Sequence, residues 1–213
     1  MKIRDSYIAT ILNGAIMGVL VNSIFVISEW YATSKNGTDI LLWISLIWIF
    51  PLLLALLAMF GGLVGILTRW KKRCLKISLF SLVFFFAGVL MILSGNWLRM
   101  SEFSELAERS KPIISAIEGY EKTNGHAPSN LSSLVPEYLS EIPNTGMGAY
   151  PDYNFYSGEK AKEYEGNPWV LEVFTPSAGF NFDIFFYLPM QNYPERGYGG
   201  VLERIGKWAY VHE

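Results

Sequence analysis

Two different hydrophobic patterns divide this chain of 213 residues. In the first half, charge-free runs extend over residues 6–28, 40–68 and 77–98. Each run is longer than the roughly 20 apolar residues that a helix needs to cross a bilayer core about 30 Å thick. The sequence therefore predicts a membrane domain over residues 1–99, with three transmembrane helices at about 7–29, 41–67 and 77–98.

Small residues recur at four-residue spacing within the first two runs. Gly14 and Gly18 form one such pair, and Gly61 and Gly65 form the other. This spacing lets helix backbones approach closely in a membrane. We expect these glycines to pack the three spans against one another.

The chain after Arg99 begins with a helical pattern. Apolar positions, with Ser110 completing the row, recur at spacings of three and four, which marks one face of a helix: Phe103, Leu106, Ile113, Ile117 and Tyr120. The third span should therefore continue as an amphipathic helix. Pro112 should kink or restart it, and Asn124-Gly125 should end it. The proline-bracketed segment 126–143 predicts short helical turns packed on that helix.

Beyond Gly146 the pattern has a period of two, which is typical of strands. The candidate strands are residues 150–156, 169–174, 181–188 and 207–211. In the third of them, Phe182, Ile184, Phe186 and Leu188 share one face. Short connections favour an antiparallel meander. The predicted domain of residues 100–213 is α+β, with a long helix packed on a three- to four-stranded antiparallel meander.

Charge is distributed unevenly between the two halves. Residues 1–99 hold nine Lys and Arg against three Asp and Glu, whereas residues 100–213 hold eight against sixteen. Such a split indicates that the two halves lie in different surroundings. The acidic second half argues against a nucleic-acid partner.

Basic residues at the ends of the spans predict the orientation. Lys2 and Arg4 precede the first span, and only Lys35 lies in the loop that follows it. The next loop has no acid and five bases: Arg69, Lys71, Lys72, Arg73 and Lys76. The positive-inside rule places the N-terminus and this basic loop in the cytoplasm. We expect a multi-pass protein of the bacterial inner membrane, with residues 100–213 in the periplasm.

The basic loop has two interpretations. The simpler is that its charges determine topology. The alternative is a site for anionic lipid or for a partner.

The sequence predicts no catalytic, cofactor or metal site. His126 and His212 are the two histidines, and neither has a second ligand at metal-binding spacing. The run from Gly197 to Gly200 lacks the Lys-Ser/Thr of a phosphate-binding loop, which predicts a flexible loop instead. The oxygen-bearing side chains of the second half lack the order of a calcium loop, and calcium binding stays open: Asp152, Asn154, Asp183, Glu195 and Glu203.

Tyrosine is abundant in the second half. Most aromatic residues there should form the core between helix and sheet. A surplus could instead form an interaction surface, because tyrosine favours interfaces: Tyr153, Tyr156, Tyr164, Tyr193 and Tyr198.

One passage resembles a known family. Residues 116–128 run from the helix through Tyr120 and Asn124-Gly125 to Pro128, and are followed by the aromatic strand of residues 150–156. This passage is similar to the periplasmic part of type II secretion pseudopilins and type IV pilin-like proteins. The resemblance implies a membrane helix that runs into an amphipathic helix, then a connecting segment and an antiparallel sheet.

The chain departs from that family before the third span. Pilin-like proteins have a basic leader that ends in glycine, and a Glu at the fifth mature position. Residues 72–80 contain neither a glycine nor an acid. We therefore expect a pilin-like shape without prepilin processing or polymerisation.

These features together predict a non-enzymatic inner-membrane protein that presents a pilin-like domain to a periplasmic or membrane protein partner. Its process would be envelope assembly, secretion or signalling, and its other contact is the lipid bilayer. The alternative is a small membrane immunity protein that neutralises a toxin. An uncharacterised membrane enzyme is the third option.

Overall fold

The computed structural model describes residues 2–177 and 181–212. Its first five helices include the predicted spans: α1 Lys2–Asn22, α2 Ile24–Thr33, α3 Ile40–Ile47, α4 Ile49–Gly65 and α5 Lys71–Arg109. Three helical stretches are long and apolar enough to cross a membrane, namely Arg4–Thr33, Ile40–Gly65 and Lys71–Asn124. The prediction of three membrane-length helices is confirmed.

By its contacts the chain divides into two compact units. The first holds Met1–Tyr31 and Asp39–Leu98, and the second holds Ala32–Thr38 and Arg99–Glu213. The short loop between the first two membrane-length helices therefore belongs with the C-terminal part of the chain.

Glycines of the first unit allow close helix packing. A Cβ atom added at Gly14 would lie 2.9 Å from the Phe80 carbonyl oxygen, and one at Gly18 would lie 2.6 Å from the Ala87 Cβ. Gly65 faces Cys74 in the same way. Gly61 has nothing within 4 Å, and its neighbour Gly62 packs on Ser78 and Cys74 instead. The packing role expected of these glycines holds for all but Gly61.

The second unit is built on an antiparallel sheet of six strands in the order β1-β2-β3-β6-β5-β4. The strands are β1 Asn154–Ser157, β2 Trp169–Phe174, β3 Ile184–Tyr187, β4 Arg196–Gly197, β5 Gly200–Ile205 and β6 Trp208–His212. Its helices are α6 Lys111–Asn124, a 3-10 turn at Leu131–Leu134 and α7 Glu159–Lys162. The α+β class with an antiparallel sheet is confirmed, and the predicted count of three or four strands is too low.

The two additional strands meet at residues 197–200, where a flexible loop was predicted. Tyr198 and Gly199 have φ values of 54° and 93° and join β4 to β5 as a two-residue hairpin turn. Positive φ at both positions is typical of a type I′ turn, whose twist matches the flanking strands. The prediction of a flexible loop at residues 197–200 is therefore wrong. Val201 and Glu203 of β5 are exposed, whereas β2, β3 and β6 are buried along nearly their whole length.

One face of the sheet packs on the helices. Phe103 and Leu106 of α5 and Ile113 and Ile117 of α6 are fully buried. The Phe103 ring stacks on Phe185 of β3 at a centroid distance of 5.1 Å.

The helix breaks lie where the sequence predicts them. The chain restarts at Lys111, with Pro112 in the first turn of α6, where a missing N–H costs little. Gly125 ends α6 with φ at 75°, the left-handed conformation that glycine adopts without strain. Tyr138, from the connecting segment, packs on Tyr120 at 5.5 Å.

The loop Ala32–Thr38 is hydrogen-bonded to the segment Thr145–Tyr150. The Gly148 amide donates to the Ser34 carbonyl at 2.7 Å, and the Ala149 amide donates to the Ala32 carbonyl at 3.1 Å. Ala32 and Thr33, the last two residues of α2, are buried, whereas Lys35 and Asn36 of the loop are exposed.

Candidate functional site

Four of the five predicted surface tyrosines come together on the second face of the sheet. Tyr164 stacks on Tyr156 at 5.7 Å and on Tyr198 at 5.3 Å. Phe186 contacts Tyr198 at 5.0 Å and Tyr193 at 5.5 Å. We call Tyr156, Tyr164, Tyr193 and Tyr198 the tyrosine cluster. It covers a small core formed by residues of β2, β3 and β6 and by Ala161.

A buried carboxylate organises the tyrosine cluster. Glu172 of β2 is only 6% exposed and accepts hydrogen bonds from the hydroxyls of Tyr156 at 3.1 Å and Tyr164 at 2.9 Å. The Asn154 amide adds a third, at 3.3 Å. Burial, and then the charge and hydrogen bond of Glu172, raise the pKa of Tyr156 to about 12 and also raise the pKa of Tyr164. Both phenols therefore stay neutral donors at physiological pH.

Basic side chains lie over the outer rings of the tyrosine cluster. The Lys160 ammonium is 4.0 Å from the ring centroid of Tyr156, and the Arg204 guanidinium carbon is 3.9 Å from that of Tyr193. Each is close enough for a cation–π interaction. The Tyr193 hydroxyl also bonds the Leu188 amide and the Lys207 carbonyl. These contacts give the cluster a packing role, and its use as an interaction surface stays a prediction.

Tyr153 lies apart from the other four. Its hydroxyl is 2.9 Å from the Ser110 hydroxyl, and Ser110 itself is fully buried. Burial raises the pKa of Tyr153, against the opposing effects of Ser110 and Arg109. Tyr153 therefore anchors the start of the sheet to the junction of α5 and α6.

Arg99 forms a second buried polar centre, which sequence reasoning treated only as a topological boundary. It is 1% exposed, and its guanidinium donates to the Tyr150 hydroxyl at 2.9 Å and to the Thr175 carbonyl. Its guanidinium carbon lies 5.0 to 5.8 Å from the ring centroids of Phe103, Tyr150 and Tyr210. A buried cation needs such partners to offset its lost hydration. Arg99 thus ties α5 to the sheet and to the segment that contacts the loop Ala32–Thr38.

His212 belongs to the same region. The Tyr210 hydroxyl donates to the buried Asp183 carboxylate at 2.6 Å, and His212 Nδ1 lies 3.3 Å from that carboxylate. Burial raises the pKa of Tyr210, and Asp183 raises it further, against the lowering effect of Arg99. His126 is elsewhere, at 6.0 Å from Tyr120. Within residues 2–177 and 181–212, no three His, Cys, Asp or Glu side chains gather as a metal would require.

A groove lies between the helices and the β5–β6 hairpin. It has a volume of about 490 Å³. Its floor contains three nearly buried apolar side chains, Ile114, Tyr187 and Trp208. Its rim holds Glu108, Lys111 and Glu118 on the helix side and Lys207 on the hairpin.

Some charged side chains at the rim of the groove are paired with each other and others are not. Lys111 is paired with Glu108 across one helical turn. Among the described residues, neither Glu118 nor Lys207 forms an ion pair. The groove therefore offers an apolar floor with a free acid on one side and a free base on the other. Sequence reasoning missed it because β5, which forms one wall, was not predicted.

The predicted basic loop lies at the start of α5. Arg69, Trp70, Lys71, Lys72 and Arg73 are exposed and line one hollow, and we call them the basic turn. Lys76 points elsewhere: its ammonium donates to the Ser6 hydroxyl at 2.6 Å and lies 5.8 Å from the Tyr7 ring.

Comparison with known proteins finds no match among family descriptions, curated proteins or solved structures.

Proposed function

We propose that this chain is a non-enzymatic inner-membrane protein whose periplasmic, pilin-like domain binds a protein partner. The groove is the observation that carries the proposal. Its floor of Ile114, Tyr187 and Trp208 suits one or two apolar side chains, and aromatic floors of this kind are frequent at protein interfaces.

The charges on the rim define the partner's chemistry. An apolar anchor in the groove would be flanked by a basic residue facing Glu118 and an acidic residue facing Lys207. Complementary charges at a rim favour the correct register and speed association. The proposed partner is therefore a protein segment with alternating charge around an apolar side chain.

Two observations support the orientation proposed for the domain. The basic residues of the N-terminus and of the loop before α5 favour the cytoplasm. The loop Ala32–Thr38 is hydrogen-bonded to the C-terminal part of the chain, so both belong in one compartment. The second and third spans together cross the membrane twice, which returns the chain to the compartment of that loop.

The pilin-like assignment is supported by the order of elements. A membrane-length helix leads into a helix that packs on an antiparallel sheet, with a connecting segment between them. In this proposal the domain serves envelope assembly, secretion or signalling as a permanently anchored subunit.

Site-specific photocrosslinking in cells tests the proposal. A photoreactive amino acid replaces Ser115 in the groove, and the same residue replaces the exposed Glu163 as a remote control. We expect one protein adduct of constant mass from position 115 and not from position 163. Glu118→Lys should abolish the adduct, whereas the charge reversal Lys162→Glu, outside the groove, should preserve it. The same adducts from both positions, or an adduct unaffected by Glu118→Lys, would contradict the proposal.

A further inference from the structure

The basic turn concentrates uncompensated positive charge. Its four cations are exposed and surround a hollow of about 280 Å³ that Trp70 also lines. The Arg69 guanidinium carbon lies 5.4 Å from the Trp70 ring centroid. Among the described residues, none of these four cations forms an ion pair with an acid.

The backbone holds these residues in a defined conformation. The Thr68 hydroxyl donates to the Gly65 carbonyl at 2.6 Å and accepts from the Trp70 amide at 3.2 Å. The Arg73 amide bonds the Trp70 carbonyl at 2.9 Å. The connection between α4 and α5 is therefore a hydrogen-bonded turn, which fixes the backbone positions from which its cations extend.

The position of the charges is unfavourable within the chain itself. Lys71, Lys72 and Arg73 form the first turn of α5, at the positive end of the helix dipole. Like charges at adjacent positions also repel one another. A bound anion would offset both the unfavourable helix dipole and the repulsion among the cations. A helix N-terminus flanked by cations therefore suits a phosphate group.

Exposed apolar side chains lie beside the cations, which favours a lipid as the source of a phosphate. Leu67 is 90% exposed and Trp70 is 53% exposed. Two membrane-length helical stretches meet at this turn, Ile40–Gly65 and Lys71–Asn124. A tryptophan at the end of a span favours the lipid headgroup region, where acyl chains lie next to phosphates.

We propose that the basic turn binds the phosphate of an anionic phospholipid headgroup, with Arg69 and Arg73 as the main ligands and Trp70 against the lipid's glycerol region. This role is additional to the determination of topology, which requires positive charge at this end of the spans but no specific lipid. It is also independent of the proposed partner groove.

Lipid binding to the full-length chain tests the proposal. The protein is purified in an uncharged detergent, and its binding of phosphatidylglycerol and phosphatidylcholine is measured by native mass spectrometry. We expect tight binding of phosphatidylglycerol only. Arg69→Gln/Lys72→Gln/Arg73→Gln should weaken it roughly 100-fold, since each cation near a charged headgroup contributes about tenfold or less. The control Lys160→Gln/Lys162→Gln removes cations of the second unit and should leave the affinity unchanged.

Salt dependence of the unaltered chain provides a test that does not depend on variant folding. Binding of phosphatidylglycerol should fall as ionic strength rises from about 0.05 M to about 0.5 M, because exposed charges are then screened. Equal binding of the two lipids, salt-independent binding, or full affinity in the triple variant would overturn the proposal. Competition by inorganic phosphate at the concentration of the lipid would overturn the lipid assignment.

Discussion

The Gly148 amide donates a hydrogen bond to the Ser34 carbonyl at 2.7 Å, although 113 residues lie between them in the sequence.

 This bond and the one from Ala149 to Ala32 attach the loop between the first two membrane-length helices to the C-terminal part of the chain. The segment Ala32–Thr38, which holds the last two residues of α2 and the loop that follows them, is thereby part of the second unit. These two bonds require the loop and the domain to share one compartment.

Substitution of Gly148 tests the importance of that attachment. A Cβ atom at this position would overlap the backbone of Gly37. We expect Gly148→Ala to lower the free energy of unfolding by about 1–3 kcal/mol, the usual cost of overpacking. Thermal unfolding of the purified protein measures this change, and limited proteolysis should show faster cleavage in residues 32–38. Gly119→Ala is the control, since its added Cβ would make only ordinary contact with Tyr138, at 3.5 Å. Equal stability of the two variants would contradict the role given to the loop.

Neighbouring glycines in the second span should differ in their tolerance of a methyl group. A Cβ atom at Gly62 would overlap the Ser78 hydroxyl and lie 2.9 Å from the Cys74 carbonyl oxygen, whereas one at Gly61 would meet nothing within 4 Å. We expect Gly62→Ala to separate the second and third spans and to lower thermal stability in detergent, by about 1–3 kcal/mol. Gly61→Ala should have the stability of the unaltered chain. A larger loss of thermal stability in Gly61→Ala than in Gly62→Ala would show that the packed face of this helix is assigned wrongly.

The sequence predicts the regular parts of this fold well, for physical reasons. Membrane spans require long apolar runs, and a buried strand such as Trp169–Phe174 requires bulky β-formers, so both are visible locally. The strand Gly200–Ile205 is not visible in this way, because exposed residues such as Val201 and Glu203 leave no clear alternation. Its pairing with Trp208–His212 comes from tertiary contacts and from the turn at Gly206, whose φ is 60°.

Long-range polar contacts were the least predictable part of the candidate sites. Nothing near Arg99 in the sequence indicates that Tyr150 and Thr175 will accept hydrogen bonds from it. The groove likewise combines residues of α6 with residues of the β5–β6 hairpin. The four members of the tyrosine cluster were predictable as surface candidates from their residue type, but their proximity to one another was not. Their convergence around Glu172 depends on the register of β1 and β2, which pairs Asn154 with Glu172.

Removal of the Arg99 guanidinium should destabilise the second unit. Arg99→Met leaves the buried Tyr150 hydroxyl and Thr175 carbonyl without this donor, and we expect a loss of about 1–3 kcal/mol for each of the two groups. Arg99→Lys keeps the charge but not the planar donor pair, and its loss should be smaller. Denaturant unfolding measures both variants, with Lys122→Met as an exposed control. A Met variant as stable as the control would show that the centre contributes nothing to stability.

The tyrosine cluster should make stability fall at alkaline pH. Burial and Glu172 raise the folded-state pKa of Tyr156 from 10.0 to about 12, so the folded chain holds this proton more tightly than the unfolded chain. The resulting stabilisation is fully present below pH 10 and is lost as the pH rises towards 12. Glu172→Gln removes the charge that contributes to the shift, and we expect the phenolate absorbance of Tyr156 to appear at lower pH.

Tyr156→Phe separates this contribution from those of the other tyrosines. In the unaltered chain, part of the phenolate absorbance should appear near pH 12. The Tyr156→Phe variant should lack that part. Titration of all tyrosines at their ordinary pKa, in the unaltered chain, would contradict the buried arrangement around Glu172.

Labelling of single cysteines tests the central claim that the C-terminal domain and the basic turn lie on opposite sides of the membrane. In a Cys74→Ser background, which removes the chain's one cysteine, a new cysteine is placed at Thr68 or at Lys162, both of which are exposed. A membrane-impermeant maleimide is then applied to cells whose outer membrane alone has been opened. We predict that Lys162→Cys is labelled at once and that Thr68→Cys is labelled only after the inner membrane is disrupted. Immediate labelling at Thr68→Cys with protection at Lys162→Cys would contradict the account.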